Sequence, residues 1–505
     1  FYGKTKALAV YKTALTDASL RSLTYPPAVA TTFDLDFDTI AEQFTFTRGS
    51  EATFVNAQGL IQSTNEIGAE LVTNGDFATD SDWVKGTGWT ISGGTANALS
   101  AGSAVSITQN GVVESGKTYK ITYTVSNYVE GGIYFRAGSG ANGNIRQENG
   151  TFTEIVTQSG NTTFYLTCYT GSTTLSIDNV SVKEYITATN TPRLDYSTGS
   201  EAFLLEPQST NLIPYSSDFS SLNALSNALV TSNQIIAPSG LLDADEITFD
   251  GTSNGRVEAS LSVTNGATYT ISVYLKNKDL SDVTQVWIGF AQLGQGQFIT
   301  ITDEWQRYEI TLASNGTTEY PRIQFSGSGS LYAWGFQTEQ RSYTTSYIPT
   351  SGASATRNQE LCTNATPVIN SEEGTLYAEI SALANSGTYR SVSLSNGTNA
   401  NRVNLTYSTA SNLLLGFINV NGVNTSFTFT VNPITDFVKC ALKYKNNDCS
   451  LWVNGVEISN STSQIAFPIN TLTKLSFTSG SSSSDFFGNT KGLKYYPKAL
   501  ADVQL

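Results

Sequence analysis

The stretch FVKCALKYKNNDCSLWVNGVEI at 437–458 reads as antiparallel strands joined by two tight turns. Apolar and polar residues alternate with period two, as half-buried strands require. Val453-Asn454-Gly455-Val456 is an Asn-Gly hairpin turn. If Asn446-Asn447 is the loop of the preceding hairpin, Tyr444 faces Cys449 and Cys440 faces Val453. Cys449, Leu451 and Val453 then share one face and Trp452 points the other way. The two cysteines lie about four residues apart along that face, or roughly 13 Å, too far for a disulfide. With Cys168 and Cys362 they read as four buried thiols.

The remainder of 371–505 has the same texture. GTLYAEISAL, RVNLTYS, LLLGFINV, TSFTFTV and KLSFTSG are separated by Asn, Gly and Ser turns, the pattern of a sandwich. Two internal repeats extend this reading. FYGKTKALAVYKTALTDASL at 1–20 aligns without a gap to FFGNTKGLKYYPKALADVQL at 486–505, each a strand followed by a short helix. The chain is therefore expected to open with the tail of one module and close with the tail of a similar one. More weakly, GKTYKIT at 116–122 recurs as GATYTIS at 266–272, and LSIDNVSVKE at 175–184 corresponds to LYAWGFQTE at 331–339. Two related sandwiches are expected, the first inserted between FTFTRGSEATFVNAQGLIQS at 44–63 and RLDYSTGSEAFLLEPQSTNLIPYSSDF at 193–219. Arg48 and Arg193 in these framing pieces are expected to make an ion pair or backbone contact at a domain junction.

Composition narrows the function. The 505 residues suggest about three or four domains. Forty-two acidic against 28 basic residues give a net charge of -14, and no Lys/Arg cluster is present, so neither nucleic acid nor anionic membrane is an expected partner. No apolar run approaches ~18 residues, so no membrane insertion is expected. Histidine is absent, which excludes Ser-His-Asp and Cys-His catalysis and His-ligated zinc.

Segment 371–505 resembles a concanavalin-A-like, laminin-G-type lectin sandwich, through GTLYAEI, LWVNGVEI and GLKYYPKALADVQL. Segment 69–186 resembles the galactose-binding-like jelly roll of carbohydrate-binding modules, through ELVTNGDFATDSDWVKGTGWTISGGTA and LSIDNVSVKEY, and 209–345 resembles it less closely. The framing pair with SYIPTSGASATR resembles a pattern of tailed-phage tail and fibre proteins. The resemblances imply an all-β chain of tandem β-sandwiches: two galactose-binding-like jelly rolls and a concanavalin-A-like lectin sandwich. The expected order is the tail of a preceding lectin-like sandwich (1–24), a framing segment (25–68), the first jelly roll (69–186), a second framing segment (187–208), the second jelly roll (209–345), a polar linker (346–370) and the lectin-like sandwich (371–505).

The chemistry expected of such a chain is holding rather than cutting. Glycosidases need two carboxyls at a fixed spacing, and the acids of 371–505 are scattered. Sugar binding needs aromatic faces beside polar side chains. Tyr128, Tyr134 and Arg136, in the irregular middle of the first jelly roll, and Trp452, on the outer surface or under a covering loop, are the candidate glycan contacts. The jelly-roll resemblance places Asp76 and Asp178 at the positions of a structural calcium; no other cofactor is required. The expected role is a non-catalytic virion appendage, a tail or head fibre on the virion surface or otherwise extracellular, adhering to host-surface polysaccharide and joined to other virion proteins. The alternatives are a purely structural decoration protein and a secreted bacterial adhesin or filament subunit. A fibre would be a homo-oligomer, with a trimer in view, although no heptad pattern supports one.

Overall fold

The computed structural model describes residues 30–222, 224–252, 254–279, 283–291, 294–481 and 483–505. The tail expected over 1–24 lies outside these residues. The described chain is all-β and forms tandem sandwiches. Among the described residues the α-helix is the single turn Ile40–Gln43, and no helix is long and apolar enough to cross a membrane.

The chain falls into two compact units: 63–188, and a second built from the chain on either side of it, through Gln62 and from Thr189 onward. In the 63–188 unit a sheet centred on Thr118–Glu130 and Thr173–Ile186 lies against a five-stranded sheet of Ala141–Asn142, Ile133–Ala137, Phe164–Cys168, Ser106–Gln109 and Val84–Lys85. One core, including Trp83, Trp89, Tyr123, Phe135 and Phe164, fills the space between them.

The larger unit holds two sandwiches. One pairs the sheet Ala224–Ser226, Gly255–Glu258, Pro321–Phe325, Gln285–Phe290, Gln295–Thr300 with a second five-stranded sheet built on Leu242–Asp250, Ser328–Glu339 and Thr268–Asn277. The repeat seen in sequence has a physical basis here. Tyr119 and Tyr269 each turn a buried phenol back so that its oxygen accepts a backbone N–H five residues earlier, Glu114 at 2.7 Å and Thr264 at 2.8 Å. Gly116 and Gly266 each donate their N–H across the sheet, both at 3.0 Å, and both adopt positive φ.

The other sandwich carries the hairpin stretch. Cys440 pairs with Val453, and Asn454 and Gly455 both take positive φ in the turn that follows. All four cysteines are buried free thiols, and burial pushes the Cys440 thiol up to about 12. This sheet is not confined to 371–505. Phe33–Asp34 and Ala202–Leu205, from the two framing segments, both pair with Gly488–Tyr496. Nor is 346–370 a linker. Ala355–Arg357 pairs with Ser209–Asn211, Leu361–Thr363 pairs with Thr45–Thr47, and Tyr347, Ile348, Arg357, Glu360 and Cys362 are buried. The exposed polar residues of this stretch, such as Ser351, Ser354, Asn358 and Gln359, alternate with a buried charged pair of positions, Arg357 and Glu360.

That charge forms one cluster. Arg48 donates to Glu360 at 2.7 Å, Arg193 to Glu360 at 2.8 Å and to Glu206 at 2.8 Å, and Arg357 pairs with Glu206 at 2.9 Å. Ser346 N–H donates to Glu206 at 2.8 Å, and Glu206 N–H to Glu360 at 2.9 Å. Burial alone would push the Glu206 carboxyl up, but Arg357 and Arg193 hold it down at about 2. Burial likewise disfavours charge on Arg193, and Glu360 and Glu206 outweigh it and raise that guanidinium.

Removing one member leaves buried charge without a partner. Glu360→Gln is expected to destabilise this unit by about 3–5 kcal/mol, read as a lower denaturant midpoint. Asp34→Asn, which breaks the exposed pair with Lys494, is expected to cost under about 1 kcal/mol. Because the Glu206 value is depressed, its contribution is complete above about 4.5 and is lost as pH falls towards about 2. An acid titration of the Glu206→Gln protein should lack that component.

Candidate functional site

Strand alternation decides what each sheet shows to solvent. In the five-stranded sheet of the 63–188 unit, Ile133, Phe135, Ala137, Phe164, Leu166 and Cys168 are buried in the core. Tyr134, Arg136 and Tyr165 therefore project half-buried from the opposite face, where Thr167 is fully covered. Register sets them side by side: Tyr134 opposite Thr167, Arg136 opposite Tyr165 on one flank and Asn142 on the other, and Tyr165 opposite Thr108. The Arg136 guanidinium lies 4.7 Å from the Tyr165 ring centroid. Tyr134 meets Tyr169 edge to face at 6.5 Å, and Tyr169 is 47% exposed. Asn161 donates its amide to the Tyr165 hydroxyl at 3.0 Å, and the Ser106 and Thr167 hydroxyls bond at 2.9 Å. Among the described residues, the ion pairs of this unit join Lys85 to Asp80, Lys117 to Glu114 and Glu184, Arg146 to Glu154, and Lys183 to Glu70; Arg136 is in none of them. The face thus offers aromatic edges, an unspent guanidinium, hydroxyls and amides.

Of the residues expected here from sequence, Tyr134 and Arg136 come together. Tyr128 does not join them. It sits on Thr118–Glu130 in the other sheet, packs its ring against the core and donates its hydroxyl to Gly131 O at 3.2 Å. Tyr165 and Tyr169 were missed, although the alternation of FYLTCY at 164–169 marks Tyr165 as outward once Phe164 and Leu166 are assigned to the core.

Trp452 is half-buried on the outward side of its sheet. Its indole N–H donates to Ser450 Oγ at 2.9 Å, and the row it occupies continues through Ala441 to Tyr377.

Asp76 and Asp178 lie on neighbouring segments, since Val180 N–H donates to Gly75 O at 2.8 Å. Each carboxylate has local hydrogen-bond partners. Asp76 accepts from Ala78 N–H at 3.4 Å, and Asp178 from Asn179 backbone and side-chain nitrogens at 2.7 and 3.3 Å. Among the described residues no group of three or more Asp, Glu or Cys side chains is placed to hold a metal. A hard cation that takes about 6–8 oxygens is not fitted by this set. In the second sandwich Trp334 is buried against Tyr347, with ring centroids 4.4 Å apart.

No protein-family model matches the chain, and no curated protein does. Among solved structures the chain is similar to the N-terminal CBM22-1-CBM22-2 tandem domain from Paenibacillus barcinonensis Xyn10C, at 11% identity and a TM-score of 0.20, over 55% of this chain and 98% of that one. It is also similar to the structure of a native glycosidic hydrolase, at 15% identity and a TM-score of 0.22, over 32% of this chain and 76% of that one. Both likenesses are too remote to assign a function.

The carboxylate geometry predicts that the melting temperature is the same in millimolar calcium and in chelator. A chelator-induced fall of several degrees, absent in Asp178→Asn, would restore the ion to this place.

Proposed function

We propose that this protein binds glycans without cleaving them, through shallow sites on the outward faces of its sandwiches. The observation that carries this reading is the face made by Tyr134, Arg136, Tyr165 and Tyr169, with hydroxyls and amides around them. Sugars present C–H faces to aromatic rings and hydroxyls to polar groups, and an open sheet face admits a chain without enclosing it. A shallow site binds weakly, so adhesion would come from several copies acting together.

A non-catalytic role is supported by how the acids are spent. Of the buried carboxylates, Glu206 and Glu360 are held by arginines, and Asp245 accepts the backbone N–H groups of Phe219 and Asn233. Two clefts, of about 440 and 350 Å³, carry between them the single carboxylate Asp34. Placement on a virion appendage rests on the tail-fibre-like sequence pattern of the framing segments. Adhesion to host-surface polysaccharide is the role that pattern and this face have in common.

A glycan array on the whole chain tests the reading. Binding to at least one polysaccharide is expected, with no release of reducing ends. Tyr165→Ala combined with Arg136→Ala should weaken binding at this face roughly tenfold, equivalent to about 1.4 kcal/mol, with an unchanged melting curve because both side chains point out of the core. Silence on the array would favour a structural spacer.

A further inference from the structure

The second sandwich has its own outward face, and its construction is different. In Gln285–Phe290, Val286, Ile288 and Phe290 are buried in the core, so Trp287 and Gly289 face outward. On the neighbouring edge strand Gln295–Thr300, Phe298 is directly opposite Trp287 and Gly296 is directly opposite Gly289. The indole of Trp287 lies over both glycines. A Cβ on Gly289 would come within 2.8 Å of the indole Cη2, and one on Gly296 would overlap the same ring. Two glycines therefore form a flat seat on which a tryptophan lies down, half-buried, beside a phenylalanine that is 67% exposed. An indole spread on the outside of a sheet contributes nothing to the core beneath it, and a Phe left in water costs apolar burial.

The next two strands supply a fixed polar row. Gln324 is opposite Trp287 and Arg322 is opposite Gly289. Beyond them stand Arg256 and Glu258. Glu258 pairs with both guanidiniums, and Arg322 also donates to Gln324 at 3.2 Å. The row thus joins two guanidiniums through one carboxylate and presents oriented donors and acceptors.

We propose that this face is a second, independent polysaccharide site, on which Trp287 and Phe298 stack consecutive pyranose rings of an uncharged chain while Gln324 and Arg322 bond its hydroxyls. Cross-strand neighbours of this kind hold their Cβ atoms about 5 Å apart, close to the advance of a pyranose chain per sugar. The open, flat platform suits the interior of an extended chain and not a chain end. The occupant is uncharged because a chain of net charge -14 repels a polyanion. The proposal rests on the glycan-binding reading above and adds to it a second site with a stated ligand class.

The test is calorimetry of the whole chain with neutral and uronate-bearing polysaccharides, using Trp287→Leu with Phe298→Leu, Trp287→Phe alone, and Tyr165→Ala with Arg136→Ala. With a neutral polymer the expected result is two sites per chain. The double leucine variant loses one of them, at least tenfold in affinity; Trp287→Phe keeps it; the Tyr165/Arg136 variant loses only the other. Affinity at the Trp287 site should not change between low and high salt. A double leucine variant that binds with unaltered stoichiometry, while the Tyr165/Arg136 variant loses all binding, overturns this proposal and leaves the first site standing. Preference of the Trp287 site for the uronate polymer, with loss in salt, overturns the ligand class. Absence of binding by the unaltered protein overturns the proposed function and this site together. Leucine preserves apolar bulk, so melting curves matching the unaltered protein separate lost binding from lost fold.

Discussion

A charged knot away from water holds the larger unit together. Arg193 reaches Glu206 and Glu360 at once, Arg48 and Arg357 each complete one of those carboxylates, and Glu339 is closed off by Ser209, Gln337 and Thr345. Burying ions is unfavourable, and the arrangement stands only because nearly every lone pair and N–H is matched. The return is geometric specificity. Residues 48, 193, 206, 339, 357 and 360 come from three stretches well separated in the chain, and an apolar contact would tolerate many relative placements of those stretches where a bidentate guanidinium tolerates few. Around this knot the chain leaves one sandwich, enters the next and returns.

Once the sandwiches are fixed, strand alternation sorts the side chains. Inward positions close the cores with Val, Ile, Leu and Phe. Outward positions are free to vary, and on two five-stranded sheets they carry aromatic rings and arginines where Ser and Thr would serve solubility as well. The two faces solve the problem differently. One leans an arginine on a tyrosine; the other lays a tryptophan on a pair of glycines.

What could be read from the sequence was local. The hairpin turns, the facing of Cys440 with Val453 and the Tyr119/Tyr269 repeat are set by residues within a few positions of each other, and the structure has them. What escaped was long-range. Nothing within 346–370 announces that Leu361–Thr363 pairs with Thr45–Thr47, and a buried Arg or Glu looks in sequence like a solvated one. Tyr128 and Tyr134 are close in the chain, yet a turn carries them onto different sheets. Trp287 was overlooked although VWIGF at 286–290 alternates cleanly. A tryptophan among apolar residues suggests core, and only the opposite glycines reveal that it lies outside.

The most direct test of the account is an experimental structure of the protein with a bound oligosaccharide of at least three sugars. The account predicts sugar density lying along the outward face of a five-stranded sheet, with a ring against Tyr165 and Arg136 or against Trp287 and Phe298. Sugar held only in the loops at the sandwich ends, or cleaved between two carboxylates, would contradict it.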